Sequence, residues 1–256
     1  MCIAFIAYQK VPGRPLILAA NRDEYFARPT QPMHFWEENP NILAGRDLRA
    51  GGTWLGLSRK GRLALVTNYR EFQRDHKAPS RGGLVRDVLE GMDLDEFNQK
   101  LKKDGHLYHG FNLIYGTVDR LYYFSNRAVG GPIQLQPGFH GLSNALLDTP
   151  WPKIQLGKEL MNYLPLEAAA WRKEVLFGIM TDRGRPDDQR LPDTGIGMDT
   201  ERLLAPIFIS SEQYGTRCST VVMLDDEGGV FAEERNYRKI PEIYTAETFD
   251  FRFEPG

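Results

Sequence analysis

A hairpin at the amino end, from Cys2 to Glu24, constrains this chain more than any other stretch. Ile3-Ala4-Phe5-Ile6-Ala7-Tyr8 is a β-branched and aromatic run that reads as a buried strand. Val11-Pro12-Gly13-Arg14-Pro15 marks a reversal. Leu16-Ile17-Leu18-Ala19-Ala20 then returns as a second strand and ends in a polar cluster, Asn21-Arg22-Asp23-Glu24. Antiparallel pairing brings that cluster back beside Cys2, so a thiol, an α-amine and a carboxylate are expected in one small volume.

A cysteine at the second position carries particular chemistry. Methionine aminopeptidase removes Met1 when the next residue is small, and the exposed amine has a reference pKa of about 7.7–8.0. Such an amine can take the proton from its own thiol, so nucleophile and base come in one residue. Cys2 reads equally as a small hydrophobe starting a core strand.

The Met-Cys start, the two apolar strands and Asn21-Arg22-Asp23-Glu24 resemble the NRDE family, named for that tetrapeptide and also called the transport-and-Golgi-organisation protein 2-like family. The likeness runs through Ala44-Gly45-Arg46-Asp47, Gly51-Gly52-Thr53-Trp54-Leu55-Gly56, Thr67-Asn68-Tyr69-Arg70, Ser80-Arg81-Gly82, Gly141-Leu142-Ser143-Asn144 and Gly215-Thr216-Arg217-Cys218-Ser219-Thr220. More remotely, the chain is similar to N-terminal-nucleophile (Ntn) hydrolases of the cholylglycine hydrolase and penicillin V acylase type. Periodicity by itself gives α+β. The resemblance implies a four-layer αββα sandwich of the Ntn hydrolase type, and the chain reads as a single domain over residues 1–256.

The resemblance also nominates site residues. Asp23 is similar to the aspartate lying close to the nucleophile's sulfur and amine, against a turn aspartate bonded to its own backbone. Asn68 and Asn144 match asparagines used for substrate and oxyanion contacts, where an amide NH₂ can be worth about 3–4 kcal/mol; each also reads as a strand-end turn residue. Arg217 resembles a late-strand arginine that closes the site, or is a solvated strand residue. Cys218 is expected in the core. The hydrolases carry an arginine three positions before the aspartate, where this chain has Ala20, and Arg22 is expected to point elsewhere or to pair with Glu24. Asn21, Arg22, Glu24, Trp54 and Arg217 are candidate ligand contacts, with Phe35 and Trp36 as further aromatic walls.

Two activities follow from the resemblance. One is carriage of haem, or of an acyl-CoA or lipid ligand, with no cofactor required and haem as a possible ligand. The other is an N-terminal cysteine hydrolase acting on an amide or thioester. The five histidines suggest no metal site: His106 and His109 have a metal-pair spacing but too few ligands in reach.

Net charge of −2 gives no global field favouring nucleic acid or an anionic membrane. No apolar run approaches the roughly 18 residues that span a bilayer, and no secretory signal pattern is visible. With only two cysteines, Cys2 and Cys218, a reducing compartment and a cytoplasmic location are expected.

Along the chain, hairpins are expected at Trp54–Asn68 and Phe111–Ser125, with edge strands at Ile133–Leu135 and Phe139–Ser143. Late strands are expected at Ser219–Leu224, Val230–Asn236 and Phe249–Phe253. Helical spacing predicts helices over Ser80–Met92, after Asp93, from near Trp151, over Leu166–Met180 and over Thr200–Leu204. Arg183–Leu191, charged and proline-bearing, reads as a mobile surface loop.

Overall fold

The computed structural model describes residues 2–71 and 78–254. Met1 and His76 lie outside the described residues. The first half of the chain forms β1 (Cys2–Val11), β2 (Arg14–Tyr25), β3 (Thr30–Phe35), β4 (Ile42–Asp47), β5 (Leu55–Ser58), β6 (Arg62–Asn68), α1 (Gly82–Leu89) and α2 (Leu94–Asp104). It continues through β7 (Phe111–Thr117), β8 (Arg120–Ser125), β9 (Ile133–Gln134) and β10 (Gly138–Leu142). The rest contains α3 (Pro152–Asn162), α4 (Lys173–Met180), α5 (Met198–Leu204), β11 (Tyr214–Leu224), β12 (Gly229–Tyr237) and β13 (Tyr244–Arg252).

These elements divide between two compact units, each assembled from separate stretches. The first comprises Met1–Ala27, Pro137–Ser143 and Leu147–Asp250, and the second Arg28–Gln136, Asn144–Leu146 and Phe251–Gly256.

The first unit is built on a six-stranded sheet in the order β10-β1-β2-β11-β12-β13. The turn at Pro12-Gly13 closes the first hairpin, and Gly13 has the positive φ (75°) that such a reversal requires. Alternation then sorts the side chains. Ile3, Phe5 and Ala7 of β1, Ile17 and Ala19 of β2, and Val221 and Met223 of β11 form one apolar face. Against it pack Ile154 and Met161 of α3, and Leu176, Phe177 and Met180 of α4. Asp148, in the left-handed region (φ 58°), ties β10 to α3: it accepts from the Gly141 N–H, the Lys158 ammonium and the His140 ring. Burial opposes its ionisation, but those three partners win and hold its pKa down to about 2.

The second unit carries a seven-stranded sheet, β3-β4-β5-β6-β7-β8-β9. Leu84, Val85, Val88 and Leu89 of α1 form the predicted stripe, and with Phe97 and Leu101 of α2 they pack on Ala44, Val66, Leu113 and Tyr115. Asp93 caps α2 as expected, its carboxylate accepting from the N–H groups of Asp95 and Glu96. Gly51 has φ 72°, and a Cβ on Gly52 would lie 2.6 Å from the Gly82 backbone, so the glycine pair serves both a turn and a close approach.

Several elements differ from expectation. The helix expected over Leu166–Met180 is α4 alone, preceded by a short 3₁₀ turn at Ala168–Ala170. Arg172 is extended (ψ 148°), which lets Trp171 bury its ring, stack on Phe139 and donate its indole N–H to the Pro165 carbonyl. Within the surface loop Arg183–Leu191, Arg183 pairs with Glu242 and Asp188 with Arg202, both as exposed ion pairs. Trp36 is no ligand wall, since it lies in the second unit's core with its N–H on the Ala44 carbonyl.

The tightest contact between α3 and its sheet is at Gly157, where an added Cβ would fall 2.0 Å from the buried Phe5 ring. Gly157→Ala gains about 1 kcal/mol of helix propensity but incurs overpacking of about 1–3 kcal/mol. The variant is expected to be less stable than the parent in urea unfolding. A higher midpoint at unchanged slope would show that α3 can lift off Phe5 at little cost.

Candidate functional site around Cys2

Strand pairing sets the site. In β1 and β2, Cys2 lies directly opposite Arg22; in β2 and β11, Arg22 lies opposite Cys218; in β11 and β12, Cys218 lies opposite Asn236. Directly paired residues project to the same face. Cys2, Arg22, Cys218 and Asn236 therefore form one row on the sheet face opposite the Ile3–Phe5 core. One row further in, Thr220 pairs with Glu234 and donates its hydroxyl to the carboxylate. Arg22 is 5% exposed and Glu234 0%.

Arg22 thus corrects the expectation that it points elsewhere. Residues 20 and 22 share parity, so Arg22 projects from the same face as Ala20, displaced by one row towards the thiol. A cation absent at Ala20 is present two residues on.

The row depends on an irregularity in β11. Thr216 pairs with Asp23 and Cys218 with Arg22, leaving Arg217 as the extra residue of a β-bulge. The Arg217 guanidinium donates to the Tyr25 carbonyl at 2.9 Å. The bulge also places Thr216 to hold Asp23. The Thr216 hydroxyl receives the Ile209 N–H, which directs its own proton to Asp23 Oδ1 at 2.7 Å. The Tyr214 hydroxyl donates to the Asp23 carbonyl.

Electrostatics connect these groups. Burial pushes the Cys2 thiol above its ordinary pKa; the Asp23 carboxylate adds to this, whereas the positive amino end of the chain, Arg22 and a hydrogen bond from the Asp23 N–H oppose it. Burial likewise raises Asp23, against the pull of the amino-terminal charge, Lys153 and the Thr216 hydroxyl. Cys218 is pushed well up by burial and by Glu234, with Arg22 opposing. Cys218 is buried, as expected, and it is also a member of the Cys2 row. In this state both thiols are held in the neutral form, and Asp23 is the acidic group nearest the sulfur in sequence register.

The remaining candidates separate into groups. Asn21 is committed inside the first unit: its NH₂ donates to the Met180 and Ile207 carbonyls and its oxygen accepts from Ser219. Glu24 accepts the Tyr25 N–H. Asn68 and Asn144 are brought together in the second unit, where the Asn144 amide donates to the Asn68 carbonyl at 2.9 Å. Trp54 lies in the same unit with its ring against Gly45. Phe35 stacks under the Arg59 guanidinium, 4.1 Å from the ring centre. Among the described residues no group of three His, Cys, Asp or Glu can hold a metal ion.

Sequence reasoning missed Thr216, Glu234 and Lys153. Thr216 and Glu234 become neighbours of the site only through the bulge, which adds a residue without any change of composition. Lys153 sits in the first turn of an amphipathic helix and carries no local signal.

The sequence model for Transport and Golgi organisation 2 matches residues 1–239. The chain belongs to the Transport and Golgi organisation 2 family. It is 39% identical to the Transport and Golgi organization protein 2 homolog of Homo sapiens, covering 92% of this chain and 93% of that protein. It is 36% identical to the Mus musculus homolog, covering 99% and 100%. Among solved structures, it is similar to a Caenorhabditis elegans N-acylethanolamine-hydrolyzing acid amidase ortholog, with a TM-score of 0.53 and 11% identity over 86% of this chain and 92% of that one. At that identity the likeness shows the fold alone. This family member has the α+β fold of the Ntn hydrolase type that its sequence resemblance implied.

Because burial raises Asp23, the folded chain binds this proton more tightly than the unfolded one. The stability contributed is full below the ordinary carboxyl pKa and lost as pH rises through the folded value. Asp23→Asn keeps the Thr216 bond and removes the buried charge, so it is expected to raise Tm at about pH 7 and to leave it unchanged below about pH 4. Scanning calorimetry at both pH values decides: a lower Tm at neutral pH would show that the carboxylate's own bonds outweigh its desolvation.

Proposed function

We propose that this chain is an N-terminal-cysteine acyl-transfer protein whose small-molecule site is centred on Cys2. The observation that carries the reading is the row Cys2–Arg22–Cys218, in which the Cys2 sulfur lies in the fields of Arg22 and of the Asp23 carboxylate. Removal of Met1 makes the terminal amine that of Cys2 itself, within the field of the Asp23 carboxylate. The neutral amine accepts the thiol proton, and the adjacent Arg22 guanidinium favours the thiolate that results. Sulfur attacks the carbonyl of an amide or thioester, and the leaving amine or thiol departs with the proton. Water then hydrolyses the Cys2 thioester to a free acid. The family resemblance assigns a closing role to Arg217.

The test is intact mass spectrometry of the purified protein before and after incubation with a short-chain acyl thioester. Met1 is expected to be absent and one acyl group to appear on Cys2. Arg22→Gln is expected to slow acylation about tenfold for each pKa unit by which the thiol rises. Met1 retained in most molecules, or equal acylation of Cys2→Ala, would overturn the reading.

One observation favours a second reading, carriage of haem or an acyl or lipid ligand. Tyr25, 59% exposed, packs edge-on against Tyr214 at 5.2 Å, and the Arg217 guanidinium sits on the Tyr25 carbonyl. An exposed aromatic beside a cation suits a flat anionic ligand. The protonated state of the Cys2 thiol disfavours axial thiolate ligation, so carriage would rest on the rim rather than on iron. Visible absorption during a haem titration is expected to change at stoichiometric haem and to weaken in Arg217→Ala. An unchanged spectrum rejects this reading.

A further inference from the structure

A cavity of about 260 Å³ lies in the first unit beside the first turns of α3, apart from the Cys2 row. Its apolar wall is Pro152, Leu156, Pro186, Ala205 and Ile207, and its polar lining includes Lys153, Arg185 and Arg190 against the single carboxylate of Glu159.

The charges around this cavity give it a sign. Lys153 is 5% exposed, with its ammonium on the Leu204 carbonyl at 2.9 Å, so a buried cation forms part of the lining. Arg183 and Arg202, from the same region, have their charges met by Glu242, Asp188 and Asp199. Arg185 and Arg190 have no side-chain ion-pair or hydrogen-bond partner among the described residues, and both line the cavity. The positive end of the α3 dipole, which starts at Pro152, adds to the positive potential.

From this geometry we infer that the cavity is a binding site for a small amphiphilic anion, a carboxylate or phosphate ester carrying a short apolar group. Arg185 and Arg190 clamp the anionic head, for which guanidinium forks are suited. Pro152, Leu156 and Ile207 cover the apolar part. The volume lies just below the usual range of ligand pockets, roughly 300–1,000 Å³, which limits the occupant to a short chain. The site is independent of the acyl chemistry assigned to Cys2.

Isothermal titration calorimetry of the whole chain with octanoate, acetate and inorganic phosphate tests the assignment. Octanoate is expected to give saturable heat with a Kd below about 1 mM, and acetate and phosphate to bind at least tenfold more weakly. R185Q/R190Q changes two exposed side chains and is expected to weaken octanoate binding at least tenfold. Cys2→Ala is expected to leave it unaltered, which separates this site from the Cys2 reading. No saturable heat with octanoate, equal affinity in R185Q/R190Q, loss of binding in Cys2→Ala, or phosphate binding as tightly as octanoate would each overturn the proposal.

Discussion

The burial of Arg22 is the constraint on which the first unit depends. A guanidinium withdrawn from water costs several kcal/mol unless opposite charge and hydrogen bonds surround it. In this chain it occupies the middle of a row between two cysteines, and Glu234 lies on the same face one row further in. Cys218 feels both charges, Glu234 raising its pKa and Arg22 lowering it. A register slip of one residue between β1 and β2 would turn Arg22 into the apolar face formed by Ile3, Phe5 and Val221. The cation therefore specifies the register of the hairpin, and the register brings Cys2 to it.

The hairpin was legible because its apolar runs are long and its turn carries Pro12-Gly13, so pairing Cys2 with the Asn21–Glu24 cluster needed only strand geometry. Asp93 and the α1 stripe were legible for the same local reason. The bulge at Arg217 was not. Gly215-Thr216-Arg217 is a polar stretch without alternation, and β11 begins there because its backbone pairs with β2 as far as Tyr25, not because of its side chains. The missing half of the expected Leu166–Met180 helix has a tertiary cause: Trp171 gains more from its cleft beside Phe139 than an Ala-rich turn gains from helix continuation. Asn68 and Asn144 were matched by motif, and the structure brings them together through the Asn144 amide, a contact between residues 76 positions apart that no local pattern encodes.

Asp23 is held in a way that works against stability. It is 1% exposed, its pKa is raised by burial, and Thr216, Tyr214 and Ile209 are arranged to keep it there. A turn aspartate needs none of this, since its carboxylate can remain in water and bond to its own backbone. A carboxyl kept buried at a cost, close enough to Cys2 to raise the thiol's pKa, has the perturbed titration that functional sites favour.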